Sequence, residues 1–595
     1  MINQSNIIDE ILQHESLEES LTELNDKMFT VTRVKGFFKD LEELNIWKEW
    51  YKSGELDVGA REYGDYQTPT DLADRACSVL LNEGIKPTTV IEPTFGLGNF
   101  ITSAINKFDT IKEIYGVEIQ KHYAYEFKKN LLGLSSQLMP KDFSINIKNE
   151  DLFNHDFPET TLNDADELLF LGNPPWVTVA ELTKLSSSNI PKKTNIKGLS
   201  GLDAKLGKSN FDIAEYIMIK ILDLINNSGK GTLAMLCKNQ TAKNIVEWSY
   251  HSSWNITTMK LFNFDAKKEF NVATEASLFI VRIGEEDKDK TLHCEVYELK
   301  EPTERIRTFG WVSDKFVSDV EGYKQASEFD NISPLTWRSG VKHDSSKIFE
   351  LSIDKEGNLV NGFKETVDVE ETLIYSLLKS SDLDKSTIPN TTRKKVIITQ
   401  TKTGMDTSYI EDLSPKLWAY LNKYKEQLDK RGSSIYKGKP SFTIFGIGDY
   451  SFAPYKVAIA GMYKKSNFSL VLPIKDKTVM LDDTCNFLSF AKYQDALFTF
   501  LILNSEKVQT FLKAITFVDS KRPYTIEVLK RIDLLKAAQE LSFATLMQDS
   551  SNYDVYIPLT ISEEDYQHYK SKLENEPYSF LNDTIDSNGL QEVLI

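Results

Sequence analysis

Apolar positions along this 595-residue chain change their spacing twice, and the changes divide it. In the first sixty residues Ile7, Ile8, Ile11 and Leu12, then Leu17, Leu21 and Leu24, recur at helical intervals. They predict amphipathic helices over 1–62, either a cap on the body or an arm for a partner. From about 65 to 285, short apolar runs alternate with helical stretches. Thr89–Ile91, Glu113–Glu118, Ile145–Lys148, Leu168–Leu171, Thr232–Cys237 and Ser277–Arg282 read as strands; Ile101–Phe108, Tyr123–Leu132 and Phe211–Ile225 read as helices. Such alternation predicts an α/β domain with a doubly wound, mostly parallel sheet over 63–300. Beyond 300, short mixed elements, aromatics and Gly/Pro turns predict a separate mixed α+β domain over 301–540. An acidic segment follows over 541–595. The stretch Glu181–Asn210, rich in Ser, Lys, Asn and Gly, is expected to form a mobile loop.

Composition adjusts this picture in a few places. With 41% apolar residues the chain can bury more than one core. Cys77, Cys237, Cys294 and Cys485 are widely separated with no CxxC pair, which argues against a zinc site or a disulfide framework and suits a reducing cytoplasm. Met1–Ser20 has no apolar core of the kind a signal peptide needs, and Leu497–Leu503 is too short to span a bilayer. Neither a membrane nor a metal is expected as a partner. The net charge of −18 is concentrated at the ends: residues 1–60 carry 13 acids and 6 bases, and residues 541–595 carry 10 acids and 2 bases. Residues 385–470 hold 15 Lys/Arg against 6 Asp/Glu, so a phosphate-binding face remains compatible with the acidic total.

The chemistry collects where the expected strands end. The first runs into Glu92-Pro93-Thr-Phe-Gly96-Leu-Gly98-Asn-Phe100, a turn whose glycines let a ligand approach the backbone. The second ends at Glu118-Ile119, 22 residues after Gly96, where an acid can accept hydrogen bonds from ribose hydroxyls. The third leads to Asp151-Leu152-Phe153, an acid that could take an adenine amine but that, taken by itself, reads first as a helix N-cap or turn residue. The fourth stops at Asn173-Pro174-Pro175-Trp176, because proline cannot continue the ladder and restricts the residue before it. That tetrapeptide offers a carboxamide, free carbonyls and an aromatic face at the carboxyl edge, where open α/β sheets bind ligands.

In this order the motifs resemble those of S-adenosylmethionine-dependent DNA methyltransferases acting on adenine N6, over residues 64–285. Gln67-Thr68-Pro69 is similar to the family's upstream cofactor motif. Residues 92–100 resemble its cofactor loop, with Glu for the commoner Asp, and Asn173–Trp176 resembles its catalytic motif, with Trp for the commoner Tyr. Phe211-Asp212-Ile-Ala-Glu-Tyr and the run from Gly229 resemble the next blocks, and Phe270 matches a second base-stacking position. The order of parts resembles the gamma class, whose C-terminal region recognises the DNA target. Trp337–His343, Phe442–Lys456 and Lys521-Arg522-Pro-Tyr524 are similar to segments of such recognition domains.

The resemblance implies a Rossmann-like methyltransferase sheet and S-adenosylmethionine as cofactor, with Thr68, Pro69, Glu92, Pro93, Gly96, Gly98, Phe100, Glu118, Ile119, Asp151, Leu152 and Asn173 around it. Asn173 to Trp176 would form the catalytic motif, Trp176 and Phe270 would hold an adenine flipped out of double-stranded DNA, and Arg338, Lys342, His343, Lys521 and Arg522 would contact DNA. A solvated or structural role competes for Arg338, Lys342 and His343. The implied setting is a cytoplasmic restriction-modification or phage-defence system, in which a cognate restriction or defence protein is a partner. Asn-Pro-Pro-aromatic also serves enzymes that methylate RNA adenines or protein glutamines, and a non-catalytic DNA-binding subunit could retain the fold. The long region after 300 favours DNA.

Overall fold

The computed structural model describes residues 4–14, 18–54, 66–139, 141–163, 165–177, 212–284, 290–383 and 391–582. The expected loop over 181–210, together with Phe211, lies outside the described residues. The chain divides into two compact units, Met1–Phe316 and Val317–Ile595.

In the first unit the expected strands form as β1 (Thr89–Glu92), β2 (Glu113–Val117), β3 (Ser144–Lys148), β4 (Leu168–Gly172) and β5 (Gly231–Lys238). β1 pairs in parallel with β2 and β4, β2 with β3, and β4 with β5. All five residues of β4 are buried, as expected for a strand covered on both faces. Four strands lie outside the sequence reading: β6 (Ile256–Phe264), β8 (His293–Glu298), β9 (Glu301–Val312) and the short β10 (Lys315–Val317). With β7 (Ala276–Ile283) the sheet has the order β10-β9-β8-β6-β7-β5-β4-β1-β2-β3. β7 runs antiparallel between β5 and β6 and therefore does not close the series. Because β9 pairs with β8, the sheet continues past 300, and the division between units falls after Phe316.

The N-terminal helices cap the body. Ile7, Ile11, Leu24, Phe37, Phe38 and Trp47 join the same core as Phe127 and Leu131 on the helix Lys121–Gly133. Val34 makes a parallel bridge to Ile145, covering the otherwise open edge of β3. An ion pair between buried Lys128 Nζ and half-buried Glu43 Oε1, at 2.6 Å, fastens the cap.

The second unit contains a four-stranded sheet in the order β11-β19-β16-β17. Its members are β11 (Arg338–Ser339), β16 (Tyr455–Ala460), β17 (Phe468–Val471) and β19 (Cys485–Phe490). A five-stranded sheet is formed by β12 (Glu350–Ile353), β13 (Leu359–Val360), β14 (Ile374–Leu378), β15 (Lys394–Ile397) and β18 (Val479–Leu481). The apolar run Leu497–Leu503 belongs to helix Tyr493–Asn504, buried on all sides within this unit. Among the described residues no helix is long and apolar enough to cross a membrane. The acidic C-terminal stretch contributes helix Glu563–Asn575, whose Tyr566, Tyr569 and Leu573 are buried and whose Lys572 pairs with Asp495 at 2.8 Å. Through residue 582 it is part of that core rather than an appendage.

Candidate active site

The carboxyl ends of β1, β2, β3 and β4 border one cavity. Glu92, Pro93, Gly96 and Phe100 reach it from the first strand end, Glu118 and Ile119 from the second, Asp151 and Leu152 from the third, and Asn173, Pro174 and Pro175 from the fourth. Thr68 lines it from the segment before helix Thr70–Asn82. Pro69 and Gly98, also expected at the cofactor, do not line it. Pro69 stands at the N-cap of that helix, and Gly98 has φ +75° with the ring of Phe127 where a Cβ would sit, so it is a turn and packing glycine.

The turn after β1 is shaped by its neighbours. Glu118 Oε2 accepts the Gly96 N–H at 2.8 Å, and its Oε1 accepts the Gln120 N–H at 2.8 Å. Gln67 Oε1 accepts the Leu97 N–H at 2.9 Å. Asp151 caps the turn Leu152–Asn154, accepting the Phe153 N–H at 3.0 Å, so the capping role holds alongside its place in the cavity wall.

Two buried oxygens on this cavity have no hydrogen-bond partner among the described residues: Glu92 Oε2 and Asn173 Oδ1. Burial pushes the Glu92 carboxyl well above its ordinary range; a hydrogen bond from the Ile101 main chain pulls it down, and nearby Glu118 raises it further. The Asn173 amide is oriented by its other end, since Nδ2 donates to the Tyr66 carbonyl at 3.0 Å. The opposite amide orientation would set two oxygens against each other, so Oδ1 is the atom left open.

Beside Asn173 three rings gather. Trp176 meets Phe270 edge to face at 5.3 Å, and Tyr66 lies 6.0 Å from each. Trp176 and Phe270 were expected from the sequence; Tyr66 was missed, although it directly precedes the Gln67-Thr68-Pro69 motif. Lys238, at the end of β5, was missed as well. Its Nζ donates to the Trp176 carbonyl and to Asp212 Oδ2, each at 3.0 Å.

In the second unit, three segments far apart in sequence meet. Lys342 and Phe445 exchange main-chain hydrogen bonds at 2.8 and 2.9 Å. The Arg338 guanidinium stands 4.7 Å over the Tyr450 ring. Asn486 of β19 accepts from Ser339 at 2.8 Å and donates to the Tyr524 carbonyl at 2.7 Å. Arg338 and Lys521 are exposed, while Arg522 donates to the Asp483 carbonyl at 3.2 Å. His343 departs from the expected DNA contact. It is 7% exposed, stacked on Phe349 at 5.4 Å, with Nδ1 accepting from Ser345 and Nε2 at 3.5 Å from Glu350. A buried ring with both nitrogens engaged is a structural histidine. Lys456, in the same basic region, is also buried, donates to the Ala453 carbonyl at 2.7 Å, and is lowered by burial to about 7.

The order β3-β2-β1-β4-β5 is that of a doubly wound nucleotide-binding sheet, with its crevice beside β1 and β4. With a glycine-rich turn, two acids and Asn-Pro-Pro-Trp at that crevice, the fold and site define a Rossmann-like S-adenosylmethionine-dependent methyltransferase. The comparisons specify the class further. No family model matches the chain. The type II methyltransferase M.NspV of Nostoc sp. is 36% identical over 474 residues, covering 80% of this chain and 96% of that protein. The type II methyltransferase M.BanIII of Aneurinibacillus aneurinilyticus is 29% identical over 161 residues, 24% of this chain and 27% of its own. Among solved structures, the type IIL restriction-modification enzyme MmeI in complex with DNA aligns with TM-score 0.49 and 14% identity, covering 95% of this chain and 76% of MmeI. The chain belongs to the type II methyltransferases, the S-adenosylmethionine-dependent DNA methyltransferases of restriction-modification systems.

Proposed function

We propose that the protein methylates the exocyclic N6 of an adenine flipped out of double-stranded DNA, with Asn173 as the group that accepts the amine. The observation that carries this reading is the orphaned Asn173 Oδ1, buried on the cavity while the other end of the same amide is fixed to Tyr66. A buried acceptor without a donor costs about 1–3 kcal/mol, and an amine hydrogen from a substrate would relieve that cost. The Pro174 carbonyl, next along the chain, would take the second hydrogen. Two acceptors at one nitrogen favour its pyramidal form and stabilise the positive charge it develops during attack.

The cavity suits the cofactor. Glu92 and Glu118 offer carboxylates to a cationic, hydroxyl-bearing molecule, and Asp151 with Phe153 offers an acceptor and an apolar wall to its adenine. Bound S-adenosylmethionine would supply an electrophilic methyl on a cationic sulfur. The chain's own residues then align the nitrogen and exclude water, with alignment contributing much of the rate. Trp176 and Phe270, joined by Tyr66, would stack the extruded base and offset an unstacking cost of about a few kcal/mol.

Recognition of the DNA sequence falls on this reading to the second unit, through Arg338, Lys342, Lys521 and Arg522. The enzyme would act in the cytoplasm as the modification component of its system, with a cognate restriction or defence protein as partner.

The direct test is Asn173→Ala, assayed with labelled cofactor on unmethylated genomic DNA. The variant should still bind cofactor and lose transfer by about 100-fold or more, the scale of removing one preorganised charge-stabilising group. Equal labelling by variant and parent would refute the role of Asn173.

A further inference from the structure

The chain leaves β4 at Asn173 and has no ladder to hold it from there on, yet a ring that receives the base must stand in a fixed place. The structure shows what holds it. Lys238 is the last residue of β5, the parallel neighbour of β4. Its ammonium donates to the Trp176 carbonyl at 3.0 Å and to Asp212 Oδ2 at 3.0 Å. Asp212 is not a loose counter-ion. It is 9% exposed, and its other oxygen accepts the Ala214 N–H at 3.0 Å, capping helix Ile213–Asn227. One residue further on each side, the Ile213 N–H donates to the Val177 carbonyl at 2.9 Å. A strand end, a helix start and the last residue of the Asn-Pro-Pro-Trp motif are thus joined through one side chain.

We propose that Lys238 is a positioning residue for the reaction: it fixes the Trp176 main chain and so sets the ring that receives the base, with Asp212 as its anchor. This rests on the reading of Asn173 and Trp176 given above. Charge-assisted hydrogen bonds to a carbonyl and a carboxylate are short and directional, so a cation on a rigid strand defines the carbonyl position more closely than solvent could. Lys238 does not line the cofactor cavity; Val177 and Ile213 do, and they keep their own main-chain hydrogen bond without it. Its loss should therefore fall on turnover far more than on cofactor binding.

The test compares Lys238→Met, Lys238→Arg and Asn173→Ala on the full chain. Calorimetry gives cofactor affinity and stoichiometry, and labelled transfer to unmethylated genomic DNA gives kcat and KM. Lys238→Met should keep parental cofactor affinity and stoichiometry, with kcat reduced about 10- to 100-fold, the scale of an ångström of misplacement. Lys238→Arg should recover most of that loss. A merely structural role would instead lower cofactor stoichiometry in proportion to activity, and that outcome overturns the proposal. So does parental kcat in Lys238→Met while Asn173→Ala is inactive. Parental activity in Asn173→Ala would instead refute the functional reading beneath it.

Discussion

The Glu118 carboxylate is bonded to the Gly96 N–H at 2.8 Å, tying the end of the second strand to the turn that follows the first. Gly96 has φ +51°, a left-handed conformation that favours glycine. The acid that the sequence assigns to a ribose therefore also braces the turn that shapes the cavity. Replacing Glu118 by Gln keeps the size and removes the charge. Cofactor affinity should fall about 10- to 100-fold, the range of a lost hydrogen bond to a charged group. Titration calorimetry on Glu118→Gln checks this, and unchanged affinity would remove Glu118 from the cofactor site.

Glu92 gives a pH dependence whose sign follows from its burial. Its folded-state pKa is raised, chiefly by desolvation, so the folded protein without ligand holds a proton that the unfolded chain has released. This group's contribution to stability therefore falls as pH rises from the ordinary carboxylate range toward the raised value. A cation bound beside Glu92 favours the charged form, so binding S-adenosylmethionine should release protons in that window, and affinity should rise with pH across it. Calorimetry in two buffers of different ionisation enthalpy measures the release. Glu92→Gln should abolish it while stabilising the ligand-free protein near neutral pH.

The N-terminal cap makes an asymmetric prediction. Burial lowers the Lys128 pKa and Glu43 raises it, with the rings of Phe37 and Phe38 within 5.6 Å of the ammonium. Glu43→Ala leaves a buried cation unpaired and should cost about 3 kcal/mol. Lys128→Met places an apolar chain among those rings and should cost little. In denaturant melts the double variant should regain most of what Glu43→Ala loses. Additive losses would show that the pair does not act as a unit.

In the second unit, Arg338→Ala and His343→Ala should separate. If exposed Arg338 meets a DNA phosphate, its loss weakens binding and lowers the slope of log affinity against log salt by about 1. If it reads a base edge, affinity falls for the cognate sequence and the slope barely moves. His343→Ala should leave the slope alone and lower the melting temperature. Binding titrations over a salt series on parental and variant proteins distinguish these outcomes.

The sequence exposes the site better than its surroundings, for physical reasons. Glu92, Glu118 and Asn173 are legible because each stands at the end of a short buried strand, where an abrupt polar residue stands out, whereas Asp151 follows the half-exposed β3 and is legible from its place in the strand order. β6 was hidden by its mixed face, with Thr258 and Lys260 inside the strand, and β9 by its polar, largely exposed start Glu301-Pro302-Thr-Glu304. Tyr66 and Lys238 act through contacts between distant elements, which no local period reveals. His343 misleads for the opposite reason: it sits in a basic, motif-like run, yet the chain turns its ring inward onto Phe349.

The central claim is that the substrate amine belongs to adenine. Mass spectrometry of nucleosides from DNA of cells expressing the protein, in a host without other methyltransferases, tests it most directly. DNA from cells with the parental protein should yield N6-methyl-2′-deoxyadenosine, and DNA from cells with Asn173→Ala should not; N4-methyl-2′-deoxycytidine in its place would contradict the adenine assignment.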